Sequence, residues 1–365
     1  MSVSAPAGRR AGGIATRVML VDDSIVARSV IQSILAPHPR FQVVATASGA
    51  AQALAELDRT PVDVVLLDLA MPGMDGLTAL PDFVRRGARV IVVSATAGKG
   101  ADDCVRALTL GAVDTLEKPA AGFGEGFANE LVEKLARIGV EGPVAGPAGA
   151  GAVPRDRPVA LASTTTGAID CVAIGASTGG LHALSALFAA LDPGCDAPIT
   201  ITQHLPAVFM PYFAAQIATM TGRRCTVARE GETLHRGTIL VAPGDAHLGL
   251  RAAQGEVRVR LDRTPAPSGC LPSVDPMFEA VAECFGARGV GVVLSGMGRD
   301  GLIGARRLVE AGGEVAVQDR ATSVIWGMPG SVAAAGLAAT VAEPAAIARR
   351  LAERALPAGT RRVLR

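Results

Sequence analysis

Aromatic side chains are scarce: Phe, Trp and Tyr make up 3% of the 365 residues, with a single Trp and a single Tyr. A surface that stacks nucleobases needs such rings, so single-stranded nucleic-acid binding is disfavoured. An excess of either charge is also missing. The 35 Lys and Arg residues balance 34 Asp and Glu, giving a formal net charge of +1. That balance argues against a DNA-binding output domain. The six cysteines form no C-x-x-C pair, which fits reduced thiols in the cytoplasm. Met1 to Arg17 has no apolar core of the kind a secretory signal carries and reads as a disordered tail.

Uninterrupted membrane-length apolar runs are lacking too. Cys171 to Leu191 and Ala321 to Ala342 contain no Asp, Glu, Lys or Arg. Turn formers sit inside both: Ser177-Thr178-Gly179-Gly180 in the first and Gly327-Met328-Pro329-Gly330 in the second. A spanning helix needs about 20 predominantly apolar residues. Both runs therefore read as strand–turn–helix units, and no membrane insertion is expected. Lysine is the last scarcity. Only Lys99, Lys118 and Lys134 stand among 32 arginines, so a lysine at a motif position carries weight.

What is present is an α/β rhythm, twice. At roughly 150 residues per domain the length suits two domains. From Arg17 to about Gly139, buried-looking runs at Val18 to Val21, Phe41 to Ala45, Val62 to Leu67, Val90 to Val93 and Ala112 to Leu116 alternate with helical patterns. Continuous apolar strands of this kind are covered on both faces, and five βα repeats predict a flavodoxin-like parallel sheet. Residues 140–168 are rich in Gly, Ala, Pro, Ser and Thr and read as a linker. The rhythm resumes over residues 169–356, predicting a doubly wound, mostly parallel sheet. Thr238 to Ala242, His247 to Arg251 and Glu256 to Leu261 read as an inserted antiparallel hairpin region. Residues 1–16 and 357–365 are expected to be tails.

The first half places chemistry at its strand ends, where parallel sheets bind ligands. Asp22 and Asp23 follow the first strand, Asp68 the third, Ser94 the fourth and Lys118 the fifth. Converging carboxylates repel one another without a cation, and hard oxygen donors suit Mg²⁺. An aspartate between a metal and a lysine is a good phosphoryl acceptor. A lone aspartate after a strand is more often a helix cap, but five such positions in order are not explained by capping. These motifs are Val21-Asp22-Asp23-Ser24, Leu67-Asp68 through Gly76, Val93-Ser94-Ala95 and Glu117-Lys118-Pro119. They resemble a two-component receiver domain. The resemblance implies that Asp68 is the phosphoacceptor. It further implies that Asp22, Asp23, Asp68 and the Ala70 carbonyl hold Mg²⁺, and that Ser94 and Lys118 contact the phosphoryl group. Thr115 stands where receivers often carry an aromatic residue.

The second half carries Gly175-Ala176-Ser177-Thr178-Gly179, a G-x-S-x-G turn between a strand and a helix. Such a turn projects a nucleophilic serine, with helix-start amides available for an oxyanion; it also suits phosphate binding. Among the five histidines, His204 follows the strand at Pro198 to Thr202, at the same sheet end as Ser177. It is the candidate general base. Asp300 follows the strand ending at Leu294 and is the candidate orienter of that base, with helix capping as its competing role. The order Ser…His…Asp matches neither the α/β-hydrolases nor the chymotrypsin or subtilisin orders.

Receiver, linker and catalytic half together resemble the CheB family of chemotaxis protein-glutamate methylesterases. The supporting motifs are Ile174 to Gly180, Gln203-His204-Leu205-Pro206, Ala242-Pro243-Gly244-Asp245, Pro272-Ser273-Val274-Asp275, Ser295 to Gly301 and Gly327-Met328-Pro329. The resemblance implies Ser177 as nucleophile, His204 as base then acid, Asp300 as orienter, and backbone amides at Thr178 and Met297 as oxyanion donors. It implies ester hydrolysis without a cofactor, and deamidation of certain glutamines through the same acyl intermediate. The implied partners are methyl-accepting chemotaxis receptors as substrate and a chemotaxis histidine kinase as phosphodonor, with the unphosphorylated receiver covering the active site. Gly269-Cys270-Leu271 stand where the family often has basic or histidine residues. Two other readings use the same residues: a non-catalytic signalling adaptor, which an intact Ser177, His204 and Asp300 set argues against, and a small-molecule serine esterase.

Overall fold

The computed structural model describes residues 15–94, 99–119, 123–140 and 168–355. The expected tails, apart from residues 15 and 16, lie outside the described residues, as does the expected linker apart from residues 140 and 168.

The first half runs β1 (Thr16–Val21), α1 (Ile25–Leu35), β2 (Phe41–Ala47), α2 (Ala50–Leu57), β3 (Val64–Leu67), α3 (Gly76–Arg85), β4 (Arg89–Ser94), α4 (Lys99–Thr109), β5 (Asp114–Glu117) and α5 (Glu125–Val140). Its sheet is parallel throughout, in the order β2-β1-β3-β4-β5. This is the flavodoxin-like order read from the sequence. Every residue of β3 is buried, because helices cover both faces. Helix α1 starts where Ser24 accepts from the Ala27 amide at 3.2 Å. It buries Ala27, Ile31 and Leu35, the four-residue spacing of a single helical face.

The second half runs β6 (Cys171–Ala176), α6 (Gly180–Ala190), β7 (Ile199–Gln203), α7 (Met210–Thr221), β8 (Cys225–Val227), β9 (Ile239–Val241), β10 (His247–Ala253), β11 (Glu256–Asp262), α8 (Val274–Phe285), β12 (Gly289–Val293), α9 (Leu302–Glu310), β13 (Glu314–Gln318), α10 (Met328–Ala334), β14 (Thr340–Ala342) and α11 (Pro344–Ala355). Seven strands form one sheet, β14-β13-β12-β6-β7-β9-β8, and β10 with β11 forms a separate antiparallel hairpin. All pairings within the seven-stranded sheet are parallel. The chain winds outward one way from β6 through β7 and the other way from β12 through β13. The strand order therefore reverses between β6 and β12.

Two details differ from the sequence reading. The strand at Thr238 to Ala242 does not belong to the antiparallel region: β9 pairs in parallel with β7 and β8. All three of its residues are buried, as an interior strand of a covered sheet requires. The run from Ala321 to Ala342 gives a turn, α10 and then β14, so its strand follows the helix. The strand before it, β13, begins outside the run at Glu314. This buried carboxylate is held by Arg350 and Arg354, each 2.5 Å away.

The two halves pack on each other. Helix α4 lies against α6 and α7. Val113, Leu116, Phe127 and Leu131 of the first half share an apolar cluster with Ile325 of the second, and Val324 and Met297 pack against it.

Candidate active site and phosphoacceptor pocket

Ser177 immediately follows β6, His204 follows β7 and Asp300 lies beyond β12, so all three sit at the carboxyl end of the sheet around its switch point. The turn bearing Ser177 is shaped by two glycines. Gly179 has φ +76, and a Cβ there would lie 2.6 Å from Val324. At Gly296 a Cβ would lie 2.8 Å from that of Ser177, so only glycine lets this loop close over the serine. The Ser177 amide donates to the Ser295 carbonyl at 3.0 Å, and Gln203 Nε2 donates to the Ser177 carbonyl at 2.9 Å. These bonds fix the backbone and leave the half-buried Ser177 hydroxyl without a hydrogen-bond partner among the described residues.

His204 and Asp300 are joined directly, Nε2 to Oδ2 at 2.7 Å. Asp300 is buried and accepts two further bonds, from Ser273 Oγ at 2.6 Å and from the Val274 amide at 2.8 Å. Burial opposes its charge, but the His204 hydrogen bond and charge and these donors outweigh it and hold Asp300 down to about 2. Burial likewise opposes charge on His204, and the Asp300 bond, with Cys270 beside the ring, overrides it and raises the imidazole to about 9. Asp300 therefore acts on the histidine, and it does not cap α9: its acceptors are turned to α8 and His204. The Thr178 and Met297 amides have no acceptor among the described residues.

The sequence did not single out four participants. Ser273 belongs to a quoted motif, yet its hydroxyl role needs the fold. Gln203 was visible only as the neighbour of His204. Cys270, half-buried on the loop before α8, brings its thiol within 4.8 Å of ligand atoms of both His204 and Asp300. Asp114 reaches the site from the first half: Thr178 Oγ1 donates to Asp114 Oδ2 at 2.5 Å, and the Gly179 amide donates to the Val113 carbonyl at 2.9 Å. Lys134 Nζ holds the other Asp114 oxygen at 2.8 Å and the Thr115 carbonyl at 2.7 Å. Arg137 of α5 contacts Met297 Sδ. The first half thus lies directly on the loops that carry the candidate nucleophile Ser177 and both candidate oxyanion donors.

The second constellation gathers at the carboxyl end of the first sheet. Ligand oxygens of Asp22, Asp23 and Asp68 lie within 4.8 Å of one another. Lys118 Nζ bridges Asp22 and Asp68 at 2.7 and 2.6 Å. Burial, aided by the Asp22 charge, pushes the Asp68 carboxyl above its ordinary range despite the Lys118 bond. Lys118 is raised, its burial outweighed by the two carboxylates. Ser94 ends β4 beside Lys118, whose amide donates to the Ser94 carbonyl at 3.0 Å. Ala70 is tied back by its amide to Asp68 Oδ1 at 3.2 Å. Three clustered carboxylates with one exposed member are a donor set that fits a hard divalent cation keeping several waters, as Mg²⁺ does.

Comparison with known proteins gives the family. The response regulator receiver domain family matches residues 18–123, and the CheB methylesterase family matches residues 172–351. A protein-glutamate methylesterase/protein-glutamine glutaminase 1 of Paramagnetospirillum magneticum is 39% identical over 351 residues, covering 89% of this chain and 92% of the relative. A protein-glutamate methylesterase/protein-glutamine glutaminase 2 of Caulobacter vibrioides is 42% identical over 331 residues, covering 89% of this chain and 94% of the relative. The crystal structure of the Thermotoga maritima CheB methylesterase catalytic domain is similar at 35% identity and a TM-score of 0.49, covering 51% of this chain and 98% of that one. With a receiver pocket in its first half, a Ser–His–Asp constellation in its second and relatives of this kind along most of its length, the chain belongs to the CheB family of protein-glutamate methylesterase/protein-glutamine glutaminases.

Proposed function

We propose that this chain is a phosphorylation-controlled serine hydrolase of the cytoplasm. It demethylates glutamate γ-methyl esters, and deamidates specific glutamines, on methyl-accepting chemotaxis receptors. The observation that carries the reading is the His204–Asp300 hydrogen bond at the sheet's switch point, with the His204 amide bonded to the Ala176 carbonyl beside Ser177, whose hydroxyl has no partner among the described residues. No described helix is long and apolar enough to cross a membrane.

In this reading Ser177 Oγ attacks the side-chain carbonyl and His204 takes its proton. Asp300 keeps the imidazole oriented and stabilises its cation. The tetrahedral oxyanion is received by the Thr178 and Met297 amides. His204 then protonates the leaving group, which departs as methanol from the ester or as ammonia from the amide. Water, deprotonated by the same histidine, releases the glutamate and restores Ser177. Proton transfer requires the Ser177 hydroxyl and the imidazole to close to about 2.6–3.2 Å as substrate seats, a tightening common to such sites.

Control comes from the receiver, residues 17–139, joined through 140–168 to the catalytic unit at 169–356. Asp68 accepts a phosphoryl group from a chemotaxis histidine kinase, with Ser94 and Lys118 contacting it. Asp22, Asp23, Asp68 and the Ala70 carbonyl would hold Mg²⁺, which supplies charge neutralisation there. The bonds from Thr178 and Gly179 to Asp114 and Val113 support a closed, inactive arrangement that phosphorylation shifts toward an open one.

The test is methanol release from a methylated receptor cytoplasmic fragment, with and without a small-molecule phosphodonor and Mg²⁺. Release by the wild type, raised by the phosphodonor and absent in Ser177→Ala, is the expected result. Undiminished release by Ser177→Ala would overturn the assignment of the nucleophile. Receptor signalling that survives Ser177→Ala without methanol release would make the chain an adaptor.

A further inference from the structure

Cys270 introduces a chemistry that ester hydrolysis does not use. Its thiol, the His204 imidazole and the Asp300 carboxylate each present a ligand atom, and the three lie within 4.8 Å of one another. Tetrahedral zinc binds sulfur at about 2.3 Å and nitrogen or oxygen at about 2.0–2.2 Å, which places ligand atoms roughly 3.5 Å apart. The His204–Asp300 pair, now 2.7 Å apart, would open to that spacing to admit an ion.

The loop carrying Cys270 is built rather than loose. The Cys270 amide donates to Ser268 Oγ at 3.3 Å. Ser268 Oγ bonds Ser273 Oγ at 3.1 Å, which donates in turn to Asp300 at 2.6 Å. The Cys270 backbone and the Asp300 carboxylate therefore share one hydrogen-bonded support, the kind of outer shell that positions metal ligands.

We propose that His204, Cys270 and Asp300 form a site for a thiophilic divalent cation of the zinc class. The donor set decides the class: sulfur and imidazole nitrogen select zinc-like ions over Mg²⁺ or Ca²⁺, which take oxygen. Three protein ligands leave a fourth position for water. A bound ion replaces the His204–Asp300 hydrogen bond that orients the base in the hydrolase reading. The cation is thus a reversible inhibitor that acts without involving Asp68. That inhibitory consequence rests on the hydrolase reading; the site itself does not.

Five of the six cysteines offer no such grouping. Cys104, Cys171 and Cys195 are buried, and Cys225 and Cys284, though half-buried, belong to no cluster of three ligand-type side chains among the described residues.

The experiment is a titration of the full-length, unphosphorylated chain with Zn²⁺ by calorimetry, and with Co²⁺ by absorption. One equivalent is expected to bind, and the cobalt form is expected to show a thiolate-to-metal charge-transfer band in the near ultraviolet. Cys270→Ser removes that band and weakens Zn²⁺ binding by more than about 100-fold, beyond the 10–100-fold cost of losing an outer-shell partner. His204→Gln weakens it similarly, and Cys225→Ser with Cys284→Ser leaves it unchanged. Absence of binding, equal affinity in Cys270→Ser, or a bound cobalt without the thiolate band would overturn the proposal. Binding is read without any ester, so a chain that takes the metal but, when metal-free, hydrolyses nothing refutes the hydrolase reading and leaves the site standing.

Discussion

Asp114 and Thr178, 64 positions apart, meet in a 2.5 Å hydrogen bond that crosses from the receiver to the residue beside Ser177, the proposed nucleophile. Asp114 opens β5, and Lys118, just past its other end, holds Asp22 and Asp68. One four-residue strand therefore has the phosphoacceptor pocket at one end and the active-site loop at the other.

Replacing Asp114 with Asn keeps the shape and removes the charge. A charge-assisted bond is roughly twice as strong as a neutral one, so about 1 kcal/mol of the closed arrangement is lost, a shift of about fivefold. Methanol release by unphosphorylated Asp114→Asn is expected to rise about that much, while the phosphorylated rate stays at the wild-type value. Equal basal rates in the two proteins would show that the bond does not restrain the catalytic loop.

Removing triad members is expected to act on kcat more than on KM. Ser177→Ala lowers kcat by about 10⁶-fold, the scale seen when a catalytic serine is lost. Asp300→Asn lowers it by about 10⁴-fold, because the imidazole loses its orientation and its counter-charge. Single-turnover measurements on a methylated fragment separate the two losses from weaker binding.

The pH profile follows from His204. Its folded value, about 9, lies above the ordinary 6.5, so the neutral base is populated only as pH rises toward that value. Hydrolysis should climb through this range and not level off near 7. The same shift stabilises the fold fully below pH 6.5, and this contribution is lost as pH rises through about 9. Asp300→Asn moves the kinetic limb to lower pH while reducing the plateau. A limb unmoved by that substitution would mean that another group titrates.

Withdrawing divalent cations with a chelator is expected to stop labelling of Asp68 by a phosphodonor while leaving basal ester hydrolysis intact. Asp68→Asn reproduces the first effect in the presence of Mg²⁺. Phosphoprotein gels and the methanol assay, run on the same samples, distinguish the two activities.

Glu314 tests the fold itself. Its buried carboxylate faces Arg350 and Arg354 of α11. Glu314→Gln leaves those guanidinium groups without their charge partner, and breaking a buried pair from one side costs about 3–5 kcal/mol. Denaturant unfolding followed by Trp326 should show a midpoint lowered accordingly.

The candidate catalytic residues were legible because each follows an apolar strand, and parallel strands deliver their ends to one place. His204 is bonded to Asp300, and Lys118 to Asp22 and Asp68, while Ser177 and Ser94 stand at the same sheet ends. Contacts that depend on docking were not legible. Nothing local to Asp114 or Val113 signals that Thr178 and Gly179 will lie against them, because no periodicity extends across a linker. Cys270 was hidden by its irregular loop, where neighbours are set by turns. Strand β13 was obscured by Glu314, whose charge reads as surface until its arginines from α11 are in place.

The amide bond from Gly179 to the Val113 carbonyl has a reciprocal thermodynamic meaning. Under the proposed function, a receptor segment seated at Ser177 would compete with the receiver for the same loop. Linkage between two sites has one magnitude in both directions. If phosphate on Asp68 favours substrate, then substrate must favour phosphate on Asp68 by the same factor. The receptor is then an effector of its own modifying enzyme, and crowding of receptor tails would prolong the activated state without any change in kinase output.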